Sequence, residues 1–225
     1  MTTAHTIRRI YEILQEAFGP QHWWPGETPF EVMVGAVLTQ NTNWQNVEKA
    51  IANLKQRDLF SPDALHRLPV RELAELIRPA GYFNVKAKRL ANLVHWLVEQ
   101  FDGDLDRLFA LSVDEMRERL IRVNGIGLET CDSIVLYAAG KPTFVVDAYT
   151  ARVLRRHGLI DRSSSYEEIK ELFEDSLGRD VRMYNEYHAL LVQVGKRFCR
   201  KKPLCDACPL SVLFQNGIPS TFDEE

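Results

Sequence analysis

Two glycines bracketing one apolar residue, Gly125-Ile126-Gly127, interrupt a chain that is otherwise patterned almost wholly at helical spacing. Glycine permits the positive φ of a tight turn and lets a backbone come close to another surface. The flanking runs read as helices. Ser112 followed three residues later by Glu115 is a capping box for a helix over 113–123, and apolar spacing resumes over 128–139. A two-helix hairpin over about 113–139 is therefore expected. Its second helix would begin with unpaired N–H groups and the positive end of its dipole, which suits a phosphate. A plain helical corner with glycine as its cap is an equally good reading of this stretch alone.

The remaining pattern points to an all-α fold. Ile7, Ile10, Tyr11, Leu14 and Phe18 repeat at helical spacing, and Gly19-Pro20 ends that helix. Residues 30–38 are apolar and lead into a polar turn, Thr39-Gln40-Asn41-Thr42-Asn43. Helical spacing returns over 47–54, over 70–77 with Pro69 at the first turn, and along Leu90, Leu93, Leu97 and Phe101. Ser165 with Glu168 forms a second capping box, and 183–197 reads as a last long helix. Only 143–146 looks extended. A chain of 225 residues suffices for one large domain or two small ones. It has no apolar run long enough to span a membrane and no signal-peptide core at its start, so a cytoplasmic, nucleoid-associated location is expected.

The formal net charge of −3 argues mildly against nucleic acid as a partner. Its distribution argues the other way: Lys196, Arg197, Arg200, Lys201 and Lys202 place five positive charges in seven residues, partly offset by the acidic end 223–225. Of the four cysteines, Cys131 stands apart, while Cys199, Cys205 and Cys208 lie within ten residues. In an intracellular chain that clustering suggests a metal site rather than disulfides.

The segment NGIGLETCDSIVLYAAGKPTFVVDAYTARV resembles the helix–hairpin–helix, Gly/Pro-rich loop and aspartate of the endonuclease III superfamily of DNA glycosylases. Further motifs match in order over roughly residues 27 to 208. The turn at Gln40 resembles the family's stack-entering glutamine turn. Gly81-Tyr82-Phe83-Asn84-Val85-Lys86-Ala87 resembles its wedge loop. The resemblance implies a monomeric, two-lobed protein that takes double-stranded DNA containing a damaged base. A six-helix barrel would occupy 27–140 and carry the hairpin. The second lobe would join 1–26 to 141–225, with DNA across the cleft between them. Gly125, Ile126, Gly127, Lys196 and Arg200 would contact DNA, and Gln40 and Tyr82 would enter the stack vacated by the flipped nucleotide.

The resemblance also implies a chemistry. The lysine nucleophile of the family's bifunctional members falls on Glu129, and a carboxylate cannot form an imine. The glutamate of the adenine-mismatch branch falls on Ala36. The 3-methyladenine DNA glycosylase III branch is similar at Trp23-Trp24-Pro25, residues 35–42 and 125–130, and Val145-Val146-Asp147, and it carries glutamate at position 129. A monofunctional base excision repair glycosylase of alkylated purines is thus expected. Asp147 and Glu129 would be catalytic, and Trp23, Trp24 and Trp44 would stack on the cationic base. Asp147 could equally cap the helix that follows it, and the tryptophans could be packing. His157 and His188 read as structural. Cys199, Cys205 and Cys208 resemble the family's iron–sulfur loop, a [4Fe–4S] site in form, but the first gap is one residue short and Phe214 stands where a fourth cysteine is expected. Two alternatives stay open: a glycosylase/lyase of oxidised pyrimidines, and a non-catalytic DNA-binding iron–sulfur module.

Overall fold

The computed structural model describes residues 2–213, so Phe214 and the acidic end 223–225 lie outside it. Among the described residues the chain is helical and no strand forms. It divides into two compact units, Trp24–Lys141 and Met1–Trp23 with Pro142–Glu225.

In the middle unit, α2 (Pro29–Leu38) is the axis of the core. Thr28 caps it, Pro29 starts it, and all its residues from Phe30 to Leu38 are buried. A helix apolar on every face must be wrapped by others. The unit holds α3 (Trp44–Lys55), α4 (Pro62–Arg67), α5 (Val70–Leu76), α6 (Phe83–Phe101), α7 (Leu105–Phe109), α8 (Val113–Ile121) and α9 (Leu128–Ser133), and of these α3, α6 and α9 pack directly on α2. Met33, Val37, Leu54, Leu90, Val94, Leu120 and Ile134 meet in one cluster. Burying each side chain of that kind contributes about 1.5–3 kcal/mol. A 3-10 turn, Arg78–Ala80, leads into α6.

The split unit packs α1 (Thr3–Phe18) with α10 (Ala148–Arg156), α11 (Tyr166–Leu177) and α12 (Val181–Arg197). Phe144 stacks on Phe173 at 3.9 Å, and Tyr184 and Tyr187 meet Phe144 edge-on. The Tyr187 hydroxyl donates to the Ile7 carbonyl at 2.8 Å.

Both capping boxes form, at Ser112/Glu115 and at Ser165/Glu168. The expected extended run 143–146 is buried but pairs with no strand. Side chains satisfy its backbone instead: Phe144 N–H donates to Glu174 (2.8 Å) and Val146 N–H to the Tyr166 hydroxyl (3.3 Å). The expected helix over 128–139 is not regular throughout. After Ser133 it widens into a π-helical turn, Ile134–Ala138, where the Ala139 N–H reaches back five residues to the Ile134 carbonyl.

Candidate nucleic-acid interface and active site

The hairpin is built by its glycines and by one ion pair. Gly125 has φ +98°, and a β-carbon there would stand 2.3 Å from Cγ of Arg89. Gly127 caps α9 with its backbone alone, and a β-carbon there would meet nothing. Between them Ile126 points inward, 4% exposed, and its N–H is taken by the Val123 carbonyl. Its side chain anchors the turn from within. Arg117 on α8 grips the fully buried Asp132 on α9 with two bonds of 2.6 and 3.1 Å, fixing the two helices together. Glu129 lies exposed in the first turn of α9, where a carboxylate complements the helix dipole.

Helix α6 ties the neighbouring turns to this hairpin. The Gln40 side chain donates to the Thr130 hydroxyl at 2.9 Å and accepts from Arg89. Asn92 donates to the Asn124 carbonyl at 3.0 Å. Tyr82 caps α6 in the left-handed region, with φ 45°, and is 74% exposed. Lys86 is 2% exposed, and its ammonium donates to the carbonyls of Leu38 (2.8 Å) and Ala80 (2.7 Å). Burial, then the nearby charge of Arg89, brings its pKa down to about 8.

The tryptophans part company. Trp24 and Trp44 meet edge-on at 5.5 Å, and Tyr137 packs on Trp24 at 5.1 Å. Gly35 makes room for them: a β-carbon there would sit 3.0–3.1 Å from the Trp44 ring and 3.4 Å from Trp24. Trp23 belongs to the other unit, where Lys196 Nζ lies 5.9 Å from its ring. Tyr137, which sequence reasoning passed over, joins Trp24 and Trp44. It sits on the π-helical turn, which helical spacing alone does not reveal.

Asp147 is the N-cap of α10, accepting from the Thr150 N–H at 2.7 Å through Oδ1. Its other oxygen stands 3.7 Å from Nε2 of the buried His188. Burial is the largest single influence on this carboxyl and pushes its pKa up. The hydrogen bond and charge of His188, with the Thr150 cap, outweigh it, and the pKa lies below the ordinary value. An ionised, nearly buried carboxylate with one oxygen outside the cap bond can stabilise developing positive charge or accept a proton from water.

In the C-terminal loop, Arg152 and Arg156 of α10 hold the backbone. Arg152 donates to the carbonyls of Cys199 (2.7 Å) and Gly195 (3.2 Å), and Arg156 to that of Arg200 (2.5 Å). Lys196, Arg200, Lys201 and Lys202 remain exposed. Among the described residues no three His, Cys, Asp or Glu side chains are gathered as a metal site. Arg156 Nη1 lies 3.4 Å from the Cys199 sulfur, and burial, then for Cys205 the neighbouring Cys199, raises the Cys205 and Cys208 thiols. Cys199, Cys205 and Cys208 are one thiolate fewer than a four-thiolate cluster takes.

Residues 34–179 match the model of the HhH-GPD superfamily base excision DNA repair proteins. The chain belongs to that superfamily. It is 50% identical over 206 residues, 91% of this chain and 93% of the other, to a Methanocaldococcus jannaschii protein named "Putative DNA repair glycosylase MJ1434". It is 28% identical over 181 residues, 80% of this chain and 79% of the other, to endonuclease III of Thermotoga maritima. Among solved structures, H. pylori 3-methyladenine DNA glycosylase bound to 1,N6-ethenoadenine is similar, with TM-score 0.74 and 28% identity. That match covers 88% of this chain and 98% of the other. A non-covalent endonuclease III–DNA complex shares the fold, with TM-score 0.80, 24% identity and 95% of each chain covered. The protein is thus a base excision repair DNA glycosylase with the all-helical HhH-GPD fold. Among the described residues, no helix is long and apolar enough to cross a membrane.

Proposed function

We propose that this glycosylase is monofunctional and removes alkylated purines, such as 3-methyladenine and 7-methylguanine, from double-stranded DNA. The observation that carries the reading is the carboxylate of Glu129, exposed in the first turn of α9 where a lyase of this family would present an amine. Residues 113–139 contain no lysine. The buried amine of Lys86 is committed to two carbonyls, which leaves it unsuited to imine formation.

N3- and N7-alkylated purines are cationic and leave readily, so the enzyme's task is recognition and stabilisation of the sugar. Trp24, Trp44 and Tyr137 supply aromatic faces for the flipped base, each worth about 0.5–2 kcal/mol to a cation. The ionised Asp147 supports the oxocarbenium-like sugar as the N-glycosidic bond breaks, and helps take the proton of the water whose oxygen joins C1′. Gln40 and Tyr82 fill the vacated stack. Backbone N–H groups at the start of α9 take a phosphate, and Lys196 and Arg200 contact the DNA backbone. The similarity to a 3-methyladenine glycosylase that binds an etheno-adenine supports the substrate class.

The test is base release from duplexes carrying single lesions, developed with alkali and, separately, by borohydride trapping. Release of 3-methyladenine or 7-methylguanine without a trapped adduct is expected. Release of an oxidised pyrimidine with a trapped adduct would overturn the reading of Glu129.

A further inference from the structure

Lys86 stands at the meeting point of two turns that the sequence keeps far apart. Its ammonium holds the carbonyl of Leu38, the last residue of α2 before the Gln40 turn, at 2.8 Å. It holds the carbonyl of Ala80, immediately before Gly81 and Tyr82, at 2.7 Å. Its own N–H donates to the Tyr82 carbonyl at 3.0 Å. Carbonyls at the end of a helix have no partner within it, and a cation is favoured there. One turn further along α6, Arg89 holds the Gln40 side chain and packs on Gly125.

We infer that Lys86 is a positioning residue that sets the Gln40 turn and the Tyr82 turn in one register, so that both side chains enter the DNA stack as a unit. This rests on the stack-entering roles proposed above. A lysine kept only to fill the core would need no charged end, and an apolar side chain would avoid the desolvation of a buried ammonium. What the ammonium adds here is a link between two backbones, each two residues before a side chain assigned to the stack. Tyr82 sits in the left-handed region at φ 45° and Asn41 at φ 55°, so both turns depend on the structure around them to keep their shape.

The probe is a duplex with a tetrahydrofuran abasic analogue opposite 2-aminopurine, whose fluorescence rises when it is unstacked, read at saturating full-length protein. This readout does not depend on which lesion is excised. Y82A tests the wedge role itself and should lose at least half of the rise. K86M should lose a similar share, K86R should recover most of it, and Y82A/K86M should fall no further than Y82A. If Y82A leaves the rise intact, the wedge reading fails and this inference with it. If Y82A abolishes the rise but K86M leaves it at the wild-type level, or if the two losses multiply, only the role of Lys86 is overturned. Should K86M fail to fold, Q40A and Y82A carry the test. Losses that overlap support a shared register, and losses that simply multiply overturn it.

Discussion

Replacing Asp147 by asparagine separates the two jobs this residue holds. Oδ1 caps α10 through the Thr150 N–H at 2.7 Å, while Oδ2 faces His188 at 3.7 Å. Asparagine keeps an acceptor for the cap and is about as good an N-cap as aspartate, so the helix should lose a few tenths of a kcal/mol at most. Alanine removes the cap and should cost about 1 kcal/mol more. Both remove the charge. If that charge stabilises the sugar or accepts the water's proton, single-turnover base release should fall about 10²-fold or more in either variant, near 2.7 kcal/mol of barrier. The assay uses enzyme in excess on whichever defined lesion duplex the wild type processes fastest, beside denaturant unfolding of each variant. A wild-type rate in D147N would refute the reasoning and leave Asp147 a cap alone. The linkage has a definite sign. The carboxyl's pKa is held below its unfolded value near 3.8, so its contribution to stability is present above that pH. It is lost as pH falls through the folded-state value. D147N should therefore differ most from wild type at neutral pH and converge with it in acid.

Other outcomes follow from the same geometry. R117M should destabilise the fold by about 3–5 kcal/mol in denaturant unfolding, because it removes the bidentate partner of a fully buried carboxylate, and R117M/D132L should regain most of that. E129K should yield an adduct with abasic DNA on borohydride treatment, whereas E129Q should not, with gel-shifted covalent product as the readout. G125A must place a β-carbon at positive φ against Arg89, so it should lose about 1–2 kcal/mol of stability and weaken binding to abasic-analogue DNA by salt-titrated anisotropy. W44A should slow release of a cationic purine several-fold more than release of a neutral one, since only the former draws on the ring face.

Local signals were legible in the sequence because they act over three or four residues. The two capping boxes, the glycine stop after Phe18 and the break at Gly125–Gly127 all depend on neighbours in the chain. The superfamily was legible too, through motifs in order. What stayed hidden depends on partners far away along the chain. Lys86 stands in the segment that resembles the wedge loop, but nothing there points to its partner Leu38, 48 residues distant. His188 has no motif of its own and gains meaning only beside Asp147. Arg152 and Arg156 look like surface charges of α10, yet they hold the cysteine loop more than 40 residues on. Trp23 and Trp24 are adjacent in sequence but fall on either side of the boundary between units, a division that composition does not mark. The π-helical turn that carries Tyr137 adds one residue per turn and escapes any fixed-period reading.

The unit completed by α1 is discontinuous, and this orders the birth of the protein. The Tyr187 hydroxyl that closes on Ile7 is made 180 residues after it. At about 5–20 residues per second, α1 waits roughly 10–40 s on the ribosome with Ile7, Ile10 and Leu14 unmatched. The middle unit is continuous and can complete its core around α2 in that interval. Helix α1 then closes its own core only after the whole of the middle unit has been made, because the partner that its Ile7 carbonyl accepts from lies on α12.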